Sequence, residues 1–137
     1  MFKKVHMFRV KPGKELFAEI AHYCRENKIT SGIIIGIVGS AEKARISFLE
    51  ELPAKYTPRD LAGPMEIVVA QGSIALKDEE TILHVHIQLA TQDACWGGHL
   101  IEATIFSTAE VTIGELDYQL RRHLDSYTGN NELLGNN

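Results

Sequence analysis

The chain reads as a single α+β domain, a mostly antiparallel β-sheet with one main helix packed against it. Three observations carry this. Only one stretch, Lys14 to about Asn27, repeats apolar residues at helical spacing. Several other stretches alternate apolar and polar residues or run β-branched. The stretches 65–76 and 81–90 are joined by the short polar turn "KDEE", which suits neighbours that run antiparallel.

Taken in order, "KKVHMFRV" (3–10) is a first strand, ended by "KPG". In the helical stretch, Leu16, Phe17, Ile20, Ala21 and Cys24 form the buried stripe. "SGIIIGIVGSA" (31–41) is a buried strand, followed by a turn and a strand at 43–50. Residues 51–64, "ELPAKYTPRDLAGP", hold three of the four prolines and are expected to form a long loop. Strands follow at 65–76, 81–90 and 99–113, and 114–123 is either a last strand or a short helix. One domain is expected over 1–125. The polar tail 126–137 is expected to fray, with Leu133 and Leu134 free to dock on a neighbour.

Composition narrows the function classes. The 137 residues are 45% hydrophobic and 23% charged, an ordinary globular balance that buries a core without structural metals or disulfides. Net charge is −4, which argues against a broad nucleic-acid footprint. Lys3-Lys4, Lys11 with Lys14, and Arg121-Arg122 are short basic spots, expected as solvated surface charge. The two cysteines, Cys24 and Cys95, form no C-x-x-C pair and are expected as reduced thiols in a cytoplasm. The apolar run "GIIIGIVG" is too short to span a bilayer.

The chemistry concentrates in "LHVHIQLATQDACWGGHL" (83–100), which holds half of the six histidines. Strand alternation points Leu83, Val85, Ile87 and Leu89 into a core and His84, His86 and Gln88 the other way. Two imidazoles on one strand face start roughly 6.5–7 Å apart and can lean onto one ion. His99 follows His86 after twelve intervening residues, enough to return on a neighbouring strand. Gly97 and Gly98 remove side chains that would hinder a close approach there. His84, His86 and His99 are therefore the candidate metal ligands. Three neutral nitrogens without a thiolate suit Zn²⁺, with Ni²⁺, Co²⁺ and Cu²⁺ as alternatives, and leave a fourth position open to water, an anion or a small-molecule ligand. His6, His22 and His123 lack such company and are read as surface or core residues. Glu66 and Glu110 are weak general-base candidates, and Asp93, Glu102 and Gln88 lie nearer in sequence. Cys95 has no evident activating base, and Trp96 reads as packing or pocket wall.

The segments "GIIIGIVGSAEKARISF", "GPMEIVVAQGSIAL", "LHVHIQLA" and "GGHLIEATIFSTAEVTI" together resemble the plant-and-prokaryote conserved (PPC) domain, over about residues 3–123. The resemblance implies an α+β fold, assembly as a homotrimer, and a metal-binding unit made of His84, His86 and His99. It also matches the family's "G-x-x-E-I" segment to Gly63 and Glu66. Plant members add an AT-hook, the basic "R-G-R-P" motif that enters A/T-rich minor grooves, and prokaryotic members are often labelled DNA-binding through that association. Neither "R-G-R-P" nor a basic arm occurs here, so DNA binding is doubtful on the sequence. The leading expectation is a homotrimeric protein holding one transition ion, zinc first, through three histidines. The alternatives are a zinc-dependent hydrolase or hydratase using Glu66 or Glu110, and a DNA-associated regulator.

Overall fold

The computed structural model describes residues 1–134. Its elements are β1 (Phe2–Val10), α1 (Leu16–Glu26), β2 (Gly32–Glu51), β3 (Lys55–Lys77), β4 (Glu80–Ala90), β5 (Cys95–Leu116), β6 (Arg122–Leu124) and β7 (Asn131–Leu133). The five long strands form one antiparallel sheet in the order β1-β5-β2-β3-β4, and β6 pairs with β7 separately. The expected fold class is correct. The sheet also curls on itself, because the start of β5 returns to pair with β4 from His86–His99 to Ala90–Cys95. Four strands thus close a ring, β5-β2-β3-β4 and back to β5.

The concave side of the curl holds the core. Ile34, Ile37, Ile74, Val85, Ile87, Leu89, Val111 and Ile113 are all buried there. Helix α1 adds Leu16, Ile20 and Cys24, one residue per turn on one face. The Glu15 carboxylate accepts the Ala18 N–H at 2.8 Å and so caps the helix start. Burial pushes the Cys24 thiol up to about 11, so it behaves as a small apolar core residue.

The structure corrects four expectations. The turn expected near residue 42 is a register shift between Ala41 and Lys43 inside one 20-residue strand. The proline-rich loop 51–64 is only a tight turn at 52–54, and its remainder is the first part of β3. Pro58 and Pro64 are tolerated there because β4 pairs with β3 only from Glu66 onward, which leaves the earlier part an edge. Residues 114–123 are neither one strand nor a helix, since β5 ends at Leu116 and β6 begins at Arg122. The tail does not fray over its described part: Asn131–Leu133 pair with β6, and the Leu134 N–H donates to the Arg121 carbonyl at 2.9 Å. Residues 135–137 of that tail lie outside the described residues.

One buried polar cluster ties β1 to the end of β5. His6, 5% exposed, meets the Glu115 carboxylate through Nε2 at 3.0 Å and the Tyr23 hydroxyl through Nδ1 at 3.2 Å. Lys3 Nζ donates to the other Glu115 oxygen at 2.7 Å. Hydrogen bonds from Lys3, then from His6, hold the Glu115 carboxyl below its usual range. A depressed folded pKa gives stability that is present above the unfolded value of 4.5 and is lost as pH falls through the folded value. Glu115→Gln is therefore expected to lower Tm at pH 7 by roughly 3–6 °C, the effect of about 1 kcal/mol in a domain of this size. The gap between variant and wild type should close as a pH series of melts descends below pH 4.5; a gap independent of pH would contradict the ionic role.

Candidate metal centre

His84 and His86 lie on β4 and His99 near the start of β5. Alternation works as the sequence suggests: Val85, Ile87 and Leu89 are buried, while His84 is half-buried and His86 exposed on the convex face. Closure of the sheet then sets His99 directly opposite His86 in register. One nitrogen from each ring can be chosen so that all three lie within 4.8 Å of one another. The ring centroids stand 5.1 Å apart for His84–His86, 5.0 Å for His84–His99 and 4.3 Å for His86–His99.

The residues fit an ion on geometry as well as on chemistry. Two nitrogens bound to a tetrahedral zinc at about 2.0–2.1 Å stand roughly 3.3–3.4 Å apart. His84 Nε2 and His99 Nδ1 are 3.2 Å apart, close to one edge of such a tetrahedron. Two of the rings, His84 and His99, are also held toward the ligating, neutral state. Burial, followed by the charges of Arg122, His99 and His86, pushes the His84 imidazole down to about 4, against an opposing pull from Glu132. Burial and His86 lower His99 as well. A neutral ring keeps a free lone pair, so protons at pH 7 compete little with a metal.

Two glycines bring the strands this close. A Cβ on Gly98 would sit 2.7 Å from the Ser47 carbonyl oxygen, so a side chain there would push β5 away from β2 one residue before His99. A Cβ on Gly72 would sit 2.1 Å from the His84 carbonyl oxygen, so this glycine sets the β3–β4 approach behind that ring. Gly97 differs from its neighbour, because its added Cβ meets only the Ile87 oxygen at an ordinary 3.6 Å.

The sequence reading missed the wall beside the histidines. A cavity of about 360 Å³ adjoins them, lined by His84, His99, Tyr56, Arg122, Asn131 and Glu132 among others. Tyr56 meets the His99 ring edge-on at 5.1 Å and donates its hydroxyl to Asn130 Oδ1 at 2.7 Å. Arg122, expected as solvated charge, is only 8% exposed. It donates to the Asn131 carbonyl and to Ser73 Oγ, both at 2.7 Å, and its Nη2 lies 3.4 Å from His84 Nδ1. Arg121 matches the expectation, being exposed and paired with Glu79.

The general-base candidates are not brought to the site within the chain. Glu66 lies opposite Ser40 and Ala90 and lines a different cavity with Met65 and Phe106. Glu110 pairs with Arg9 and Val38 near the far end of β5. Asp93 and Glu102 are exposed, and Glu102 pairs with Arg45. Gln88 shares a shallow depression with His86. Glu132, which the sequence reading did not single out, is the carboxylate in the cavity wall. Cys95 is an exposed free thiol, Trp96 packs against the core, and His22 and His123 are exposed.

Comparison with known proteins places the chain. Residues 1–117 match the Plants and Prokaryotes Conserved domain, and the chain belongs to that family, the one its histidine and glycine segments resemble. The fold aligns with a metal-containing protein from Archaeoglobus fulgidus at 27% identity and TM-score 0.91, covering 98% of this chain and 96% of the other. It aligns with a plant- and prokaryote-conserved protein from Pyrococcus horikoshii at 26% identity and TM-score 0.85, covering 98% and 95%. A provisionally assigned DNA-binding protein from Bacteroides thetaiotaomicron shares the fold at 23% identity and TM-score 0.88, covering 97% and 95%. Among curated proteins, the bifunctional protein GlmU of a Synechococcus strain is 30% identical over 135 residues, 95% of this chain. The chain spans only 20% of the length of that relative.

The two glycines of the "GGH" segment give a paired test. Gly98→Ala is expected to destabilise the fold by about 1–3 kcal/mol through overpacking, whereas Gly97→Ala should stay within about 0.5 kcal/mol of wild type. Denaturant unfolding of both variants checks this, and equal effects would contradict the steric account.

Proposed function

We propose that this protein is a homotrimer that binds one zinc ion per chain through His84, His86 and His99. The convergence of three ring nitrogens to within 4.8 Å on a sheet held by backbone pairing carries the reading. Ordinary surface histidines have no reason to converge in this way. The donor set supports zinc over calcium or magnesium, which take oxygen ligands. The metal content of the similar Archaeoglobus protein supports a metal here as well.

Self-association is supported by the convex face. Val5 and Met7 of β1, Ile33 and Val38 of β2, and Val69 of β3 all point outward from the sheet and are 39% exposed or more. This apolar area continues toward the histidines through Ser73, which lies opposite both Ile33 and His84. An apolar area of this kind on one sheet face marks an interaction surface, and a second and third copy would cover it. The two unpaired thiols fit a reducing compartment such as the cytoplasm. No helix among the described residues is long and apolar enough to cross a membrane.

The enzymatic reading, a hydrolase or hydratase, loses its two named bases within the chain, since neither Glu66 nor Glu110 lines the histidine cavity. DNA association is supported by the names of similar proteins, those from Bacteroides and Ralstonia, against a net charge of −4.

Untagged protein is expected to carry about one zinc per chain in elemental analysis. A His84→Ala/His86→Ala variant should lose the ion and keep its circular-dichroism spectrum. Absence of metal in the native protein, with none taken up on titration, would remove the reading. Light scattering should give about three times the chain mass of 15.3 kDa. Val38→Glu, at a position 67% exposed on the convex face, should shift that mass toward the monomer; a monomeric wild type would refute the assembly.

A further inference from the structure

Arg122 is a buried cation that no carboxylate contacts directly among the described residues, although the charge of Glu132 in the same wall acts on it. Its side chain lines the histidine cavity, yet no carboxylate pairs with it among the described residues. Its acceptors, the Asn131 carbonyl, the Ser73 hydroxyl and, in one tautomer of the ring, His84 Nδ1, are neutral, and its Nε has no hydrogen-bond partner among the described residues. A guanidinium has five N–H donors and stays charged at any physiological pH, so part of its hydrogen-bonding capacity is unused and its charge is offset by Glu132 without a direct ion pair. Burying a charge held by neutral groups alone is costly, so a buried guanidinium with an unpartnered N–H calls for a physical reason. Glu132 lines the same cavity, where it accepts from the Thr128 hydroxyl and acts on Arg122 through its charge.

The neighbouring histidines sharpen the point. Arg122 Nη2 faces His84 Nδ1 at 3.4 Å. The second nitrogen of a metal-bound histidine ordinarily donates to a carboxylate or carbonyl oxygen. Here the group beside it is another donor. An ion held through His84 Nε2 would therefore leave two donors facing each other and add positive charge to a wall that already carries Arg122.

We propose that this cavity binds a small organic carboxylate, anchored by Arg122 and completed by the open coordination position of the metal. The inference rests on the three-histidine reading for its second point of attachment. The planar guanidinium fork matches a carboxylate, and the cavity of about 360 Å³ has room for a ligand of a few heavy atoms. Ile82 and Leu49 supply apolar wall for the remainder of the ligand.

The test titrates pyruvate into zinc-loaded protein by calorimetry, with chloride as the ionic-strength control and metal content measured separately. Wild type should bind pyruvate beyond the chloride control. Arg122→Gln should keep its zinc and bind pyruvate about tenfold or more weakly, the loss of one charge-assisted pair. Glu132→Gln, which removes the negative charge from the same wall, should bind more tightly. A purely structural Arg122 would move neither affinity. Zinc-loaded wild type that ignores pyruvate, or variants that both bind it as wild type does, would overturn the proposal while leaving the metal reading intact. If Arg122→Gln does not fold, Glu132→Gln decides: tighter binding supports the site and unchanged binding overturns it. A chain that takes up no zinc ends the metal reading instead. The same titration on metal-free protein then judges the Arg122 anchor by itself, with binding lost in Arg122→Gln as support and no binding as refutation.

Discussion

The return of β5 onto β4 is the constraint on which the rest of this structure depends. Without that pairing the sheet would be open, and His99 would hang at the end of a long strand. With it, His99 stands opposite His86, in the same register that buries Ile87 and Leu89 behind them. Register in a sheet is enforced by burial, because a slip of one residue would move every apolar side chain of β4 to the convex face. The position of the histidines is thus held by the core, at no separate energetic expense to the site. Gly72 and Gly98 serve the same end by letting backbones approach where any larger residue would wedge them apart.

The electrostatic character of the site follows from that architecture. Partial burial favours the neutral form of the His84 and His99 rings, and Arg122 reinforces this at His84. Neutral imidazoles are good ligands and poor counter-ions, so they cannot balance the guanidinium beside them. The carboxylate in the cavity wall, Glu132, belongs to the tail segment that folds back over the convex face. Tyr56 and Arg122 hold that segment through Asn130 and Asn131, which makes the tail a wall of the cavity. A shape that joins apolar wall, buried cation and convergent nitrogens is suited to a ligand with one charged end.

The three histidines were legible because a strand has period two and the flanking residues are strongly apolar. "LHVHIQL" fixes which side chains share a face before any partner is known. The amphipathic helix was legible for the same reason at its own period. The prolines of 51–64 misled, since proline excludes a residue from a central strand but not from an edge, and edge status depends on where β4 stops pairing. Arg122 misled for a related reason. Adjacent basic residues look alike in sequence, yet Arg121 reaches solvent and Glu79 while Arg122 turns inward to Ser73 and Asn131.

By itself, the sequence determined the fold class, the helix, the inward and outward faces of the strands, and the three residues able to ligate a metal. Those properties are local, set by the geometry of the chain over a few residues. The tertiary structure alone decided that β2 and β3 run unbroken, that Glu66 and Glu110 stand away from the histidines, and that the tail and Arg122 build the cavity wall. Each of these joins residues far apart in the chain, and such juxtapositions arise only when the sheet closes and its faces are covered.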